Sequence, residues 1–149
     1  MPTSSSAESP APAPVSARLG YLLKHAQLAF AEHSAPALAP LRINGRELAV
    51  LAVLGGPQPL AQHQAAGRLG VDRTSMVDLI DELERKNLVG RTPDPGDRRR
   101  NLVQLTAHGR SVLEQGTRAA EEAERRFLRA LSPAEQEQFR SMLRRVVGD

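Results

Sequence analysis

Residues 60–106 read LAQHQAAGRLGVDRTSMVDLIDELERKNLVGRTPDPGDRRRNLVQLT, and the order of signals in this stretch decides the fold. The first helical pattern starts near Leu60 and ends at Leu69, where Gly70 can take the left-handed backbone angles that close a helix. Only Gly70 and Val71 separate it from the next. Asp72 stands three residues before Ser75, the spacing of an N-terminal cap. Met76, Leu79, Ile80 and Leu83 then recur on one face, and Asn87 serves as a left-handed stop. Leu88 to Arg91 reads as a strand. A turn-rich segment follows from Thr92 to Arg100, holding Pro93, Pro95 and Gly96, and Leu102 to Leu105 returns as a second strand. The expectation is helix, tight turn, helix, then a two-stranded ribbon with a long basic tip.

Working outward, Asn44 and Glu47 have the form of a capping box, and Leu48, Leu51, Ala52 and Leu54 supply the buried stripe of a short helix that Gly55, Gly56 and Pro57 stop. Further upstream, Leu19, Leu22, Leu23, Ala26 and Phe30 mark an amphipathic helix from about Ser16 to about His33, after which Pro36 and Pro40 break or bend the chain. Downstream, Thr106 caps a long helix reaching about Ala130, with Val112, Leu113, Ala120, Phe127 and Leu128 on a sparse stripe. Ser132, Pro133 and Glu135 restart a last helix whose apolar face is Phe139, Met142, Leu143 and Val146. The fold class is mainly α with a small β-hairpin wing (α+β), a winged helix-turn-helix with flanking dimerisation helices. Residues 1–15 are expected to be a disordered arm and 16–149 a single unit, with the winged helix-turn-helix at 44–106 and dimerisation helices at 16–40 and 107–149. The 107–149 segment begins with a helix too long for a domain this small to cover, so its ends need a partner.

The 149 residues include no cysteine, which excludes a disulfide framework, thiolate metal sites and thiol redox sensing. No apolar run approaches the roughly 20 residues of a membrane span, so a soluble, cytoplasmic protein is expected. The net charge of +3 is modest. Of the basic residues only Lys24 and Lys86 are lysine, and arginine's fork suits phosphate and base edges. No glycine-rich phosphate loop, nucleophile elbow or paired-carboxylate signature is present, and the neighbouring acids Asp81 and Glu82, and Glu121 and Glu122, read as solvated helix faces. The chain is not expected to be an enzyme or to carry a cofactor.

A short polar and basic helix start after a tight turn is the arrangement that places a helix N-terminus in the major groove. Arg73, Thr74, Ser75 and Asp78 occupy that position, with Asp72 acting as cap. Alone, such a start is equally a well-solvated helix end. Asp97, Arg98, Arg99 and Arg100 on the ribbon are likewise, alone, a charged loop. In this order, however, they combine into a reading helix and a basic wing able to enter the minor groove.

Residues 44–106 resemble the winged helix-turn-helix of the MarR family of bacterial regulators. The sharpest match runs from Asp97, Arg98 and Arg99 through Leu105 and Thr106, the family's D-x-R wing followed by a strand and a Leu-Thr helix start. The resemblance implies that Arg99 is the minor-groove arginine and Asp97 its orienting partner, with Arg73, Thr74 and Ser75 on the recognition helix. Its partners would be double-stranded DNA with a palindromic operator and a second copy of the chain in a homodimer, the protein acting as a repressor. It also implies release by a small aromatic or anionic effector, for which Tyr21, Lys24, His25 and Arg46 are the candidate pocket residues. One departure is Ala65 and Gly67, which stand where the family usually has a larger aliphatic and a helix former, so a looser third helix is expected. Two alternatives share the fold. A zinc-responsive regulator would use His25, His33, His63 and His108, but no pair has i, i+4 spacing, so no metal site is expected. A protein-binding adaptor would not bind DNA, and its association with DNA would be weak and insensitive to salt.

Overall fold

A computed structural model describes residues 13–148. The expected arm therefore lies outside the described residues except for its last three, and Val15 opens a short 3-10 turn, Val15–Ala17. Helix α1 spans Leu19–Leu38 and runs through Pro36. The expected break is displaced because Pro36 sits in the last turn, where its missing N–H forfeits one bond while Ala39 still donates to the Ala35 carbonyl. The chain reverses instead through a 3-10 turn at Ala39–Leu41 and Arg42 in the left-handed region, φ 57°.

Helix α2, Gly45–Leu54, carries the expected capping box: Glu47 N–H donates to Asn44 Oδ1 at 3.0 Å, and Asn44 N–H donates to Glu47 Oε2 at 2.9 Å. Its inner face differs in part from expectation. Val50, Leu51 and Leu54 are buried, while Leu48 is half-buried and Ala52 exposed. Leu60 does not begin the third helix. Leu60–Ala61 is a short strand, β1, and helix α3 follows at Gln62–Leu69. Val103 and Leu102 supply β1 with its register partners, and a three-stranded antiparallel sheet in the order β1-β3-β2 replaces the expected two-stranded ribbon.

Gly70 closes α3 at φ 62° and Asp72 opens helix α4, Arg73–Arg85, so the turn is as short as the sequence implies. Asn87 takes φ 59° beyond its end. Strands β2, Val89–Asp94, and β3, Asp97–Leu105, extend further than expected. The turn shrinks to Pro95 and Gly96 between the paired Asp94 and Asp97, which places Arg98, Arg99 and Arg100 on a strand instead of in a loop. Thr106 caps helix α5, Ala107–Phe127, and the box of Ser132 and Glu135 opens helix α6, Pro133–Val147.

The core gathers Leu38, Val50, Leu51, Met76, Ile80, Leu83, Leu88 and Val103 from α1, α2, α4, the start of the wing and β3. Helix α5 lies against this core through two glycines. A Cβ on Gly109 would stand 1.9 Å from the Leu88 carbonyl oxygen, and one on Gly116 would stand 2.8 Å from Leu48 Cδ1. Gly67, by contrast, faces open space, with nothing within 4 Å of an added Cβ. The expected looseness of α3 rests on the backbone freedom of this glycine, and since a methyl has room here Gly67→Ala should raise stability by about 0.5–1 kcal/mol, measured by chemical denaturation.

One buried polar group was not foreseen. Glu47, 2% exposed, accepts from Lys86 Nζ at 2.6 Å, and the same ammonium donates to the Arg42 carbonyl at 2.9 Å. The start of α2 is thereby tied to the end of α4. Lys86→Ala would leave the buried carboxylate short of its cationic partner, and a loss of about 2 kcal/mol in denaturant unfolding is expected. The apolar faces of α1 and α6 remain uncovered. Leu19, Leu22 and Leu23 are half or more exposed, as are Val146 and Val147, and α6 buries none of its residues fully.

Candidate nucleic-acid interface

Asp72 fixes the start of α4 by accepting from Ser75 twice, from its N–H at 2.9 Å and its hydroxyl at 2.7 Å. These bonds, the backbone one first, hold the Asp72 carboxyl below the ordinary 3.8 of an aspartate. A carboxylate with a depressed folded value contributes fully above its unfolded value, and the contribution is lost as pH falls through the lower folded value. Asp72→Asn should therefore lower the thermal midpoint at neutral pH, and the difference from wild type should close as the solution is acidified below 3.8. Because the Ser75 hydroxyl proton is committed to Asp72, this side chain meets an outside group as an acceptor. Arg73, Thr74 and Asp78 are exposed on the same helix.

The wing sorts its arginines by partner. Arg100 reaches Asp94 Oδ2 at 3.3 Å and Asp97 Oδ2 at 3.6 Å, so its guanidinium is clasped by both acids of the turn. The expected clasp of Asp97 on the Arg99 guanidinium takes another form: Asp97 Oδ1 accepts from the Arg99 backbone N–H at 3.0 Å. Among the described residues Arg73, Arg98 and Arg99 have no carboxylate partner. Their charge is available to an external anion.

Helix and wing converge on one groove of about 530 Å³. Arg73 and Val77 line it from α4, Gln62, His63 and Ala66 from α3, and Arg99, Arg100 and Asn101 from β3. The geometry thus brings together Arg73, Arg99 and Arg100. Thr74, Ser75, Asp78, Asp97 and Arg98 are not among the residues that line it. Gln62 and Asn101 escaped the sequence reading, and His63 entered it only as a candidate zinc ligand, since only the docking of α3 and β3 against α4 turns them toward the same space. The groove joins a helix N-terminus bearing the unpaired Arg73 to the unpaired guanidinium of Arg99 on an adjacent strand, chemistry suited to phosphate and base edges.

A family model described as MarR family matches residues 43–100. The transcriptional regulator HosA of Escherichia coli O111:H- is 32% identical over 103 residues, 62% of this chain and 76% of that protein. A probable transcriptional regulator from Pseudomonas aeruginosa superposes with a TM-score of 0.83 at 32% identity, covering 89% of this chain and 99% of that one. This chain belongs to the MarR family. It is therefore a DNA-binding transcription regulator and not an enzyme. Another MarR-type structure, the repressor CouR bound to a 23-mer DNA duplex, gives a TM-score of 0.83 at 32% identity over 89% of this chain and 94% of that one. CouR from Rhodococcus jostii RHA1 has also been solved with p-coumaroyl-CoA, at a TM-score of 0.76 and 28% identity over the same shares.

The remaining candidates lie elsewhere. Tyr21 and His25 stack at 3.8 Å between ring centroids on the exposed face of α1, with Lys24 between them in sequence, while Arg46 is exposed on α2. His25 is further engaged with the Tyr21 carbonyl at 2.9 Å. Among the described residues no group of three or more histidines or acids could hold a metal ion. No helix among them is long and apolar enough to cross a membrane.

Proposed function

We propose that this MarR-family protein represses transcription by binding an imperfectly palindromic operator as a homodimer in the cytoplasm. The single observation that carries the DNA-contact part is the shared groove, in which Arg73 at the start of α4 and Arg99 on β3 face the same space. Arg73, Thr74, Ser75 and Asp78 meet the major groove, with Arg73 forking onto guanine or phosphate. Arg98 and Arg99 reach the adjoining minor groove, where narrow walls deepen the negative potential. Asp97 and Arg100 shape the wing. The unit extends over 16–149, with 44–106 reading DNA and 16–40 and 107–149 joining the two copies.

Support for the second copy comes from the uncovered apolar residues of α1 and α6, at the two ends of the chain. Two-fold symmetry then sets the recognition helices about 34 Å apart, one turn of duplex. CouR's structure with p-coumaroyl-CoA favours an aromatic or anionic effector for this chain, with Tyr21, Lys24, His25 and Arg46 as its contacts. Selection of bound sites from random duplex DNA should return a two-fold symmetric sequence, and light scattering should return a dimer. A monomer protecting an unsymmetric site, or no preference over bulk competitor at moderate salt, would refute the proposal. Titration of aromatic acids and their thioesters against the bound operator tests the effector, and DNA release by none of them would remove it.

A further inference from the structure

The sheet has three strands only at its base. Strand β1 pairs with β3 no further out than Leu102, so beyond that level the wing is a two-stranded ribbon. The ribbon has nothing apolar to hold it: from Thr92 to Leu102 no residue is buried. Two strands with no hydrophobic face are marginal on their own, so the ribbon's pitch depends on its outermost attachment to the helices.

That attachment is Arg91. Opposite Val103 in the register, it shares the helix-facing side of the sheet with that fully buried residue. Its guanidinium bonds to Glu84, to Asp81 Oδ1 at 2.5 Å and to Gln62 Oε1 at 3.4 Å, and its side chain is only 19% exposed. Two of these acceptors are on α4 and one is on α3, so one planar fork is held from both helices of the helix-turn-helix. Two carboxylates beside it leave no charge free for a phosphate. Asp81 belongs to a pair that reads from the sequence as a solvated face.

From this geometry we infer that Arg91 is a positioning residue, which sets the angle of the wing against the recognition helix and so delivers Arg99 to the DNA. The inference rests on the proposed wing contact of Arg99. On β3, Arg99 lies outward of Val103, past the register shift between Pro93 and Asp94, and lines the same groove as Arg73 of α4, so a tilt about Arg91 moves it relative to the recognition helix.

The test is a double-mutant cycle on the full-length protein with the tightest duplex recovered by selection. Arg99→Ala should weaken binding by about 10- to 100-fold, and Arg91→Ala by about tenfold. The double variant should bind no more weakly than Arg99→Ala alone, because a strut has no effect once the group it positions is gone. Hydroxyl-radical footprinting of Arg91→Ala should lose protection at the minor-groove flanks while keeping the centre, a pattern that general destabilisation would not produce. Should Arg91→Ala fail to fold, the paired change Asp81→Asn with Glu84→Gln removes the same attachment from the helix side and enters the same cycle. Multiplying losses in the double variant, or wild-type affinity for Arg91→Ala alongside a weakened Arg99→Ala, would overturn the inference and leave the wing contact standing. Wild-type affinity for Arg99→Ala would overturn both.

Discussion

Gly109→Ala is expected to cost about 3 kcal/mol or more and to lower the thermal midpoint by roughly 10 °C. The added methyl would stand 1.9 Å from the Leu88 carbonyl oxygen and 2.9 Å from its carbon. Backbone cannot rotate aside as a side chain can. Nor can the two segments simply part, because Thr106 N–H donates to Leu88 O at 3.1 Å and the Thr106 hydroxyl donates to Asn87 O at 2.6 Å. Relief requires either breaking these bonds or lifting α5 from the buried Leu88, which would also pull its own Val112 out of the core. Circular dichroism melting beside Gly67→Ala makes the comparison internal, since the same methyl meets nothing at that glycine. Equal midpoints for the two variants would show that α5 does not approach Leu88, just ahead of the wing's first strand, as closely as described.

Arg99→Ala should separate binding from folding. Its side chain is exposed and lacks a carboxylate partner, so the thermal midpoint should stay within about 1 °C of wild type, as for most surface substitutions. Operator affinity should nonetheless fall by about 10- to 100-fold, the loss typical of one guanidinium seated in a groove. Arg73→Ala should also weaken binding, and it should relax the base preference at the position the helix start reads. Arg100→Ala supplies the contrast within the wing: its guanidinium is already held by Asp94 and Asp97, so its removal should cost less affinity than that of Arg99. Fluorescence anisotropy at one fixed salt concentration would rank the three. An order in which Arg100 mattered most would contradict the partner pattern in the wing.

The parts of this fold that the sequence made legible are those governed by neighbours three or four residues apart. The caps at Asn44, Asp72, Thr106 and Ser132 were each readable because donor and acceptor lie within one helical turn. What escaped depends on residues far along the chain. Strand β1 exists only because Val103 and Leu102 return beside it, and two residues carry no periodicity of their own. The Lys86 to Glu47 bond joins positions 39 apart, and Arg91 finds partners 7, 10 and 29 positions away. The candidate site was legible to the same extent: Arg73 and the run Arg98 to Arg100 could be named from local pattern, and Arg99 was singled out among them only by the family resemblance. That Gln62, His63 and Asn101 share their groove, and that Arg100 is occupied within the wing, follows only from the packed sheet.

The pairing at the tip also sets how far the wing can be felt. Three arginines in succession suggest a strongly attractive finger, yet Asp94 and Asp97 lie among them and reduce the segment to a single net positive charge. A nearly neutral finger exerts little pull beyond the Debye length of about 8–10 Å. It should add little to the speed of first encounter or to sliding on arbitrary duplex, and should register its preference only once seated. Discrimination at the flanks of a site would then appear in how slowly the complex falls apart, with the arrival rate nearly the same for every sequence.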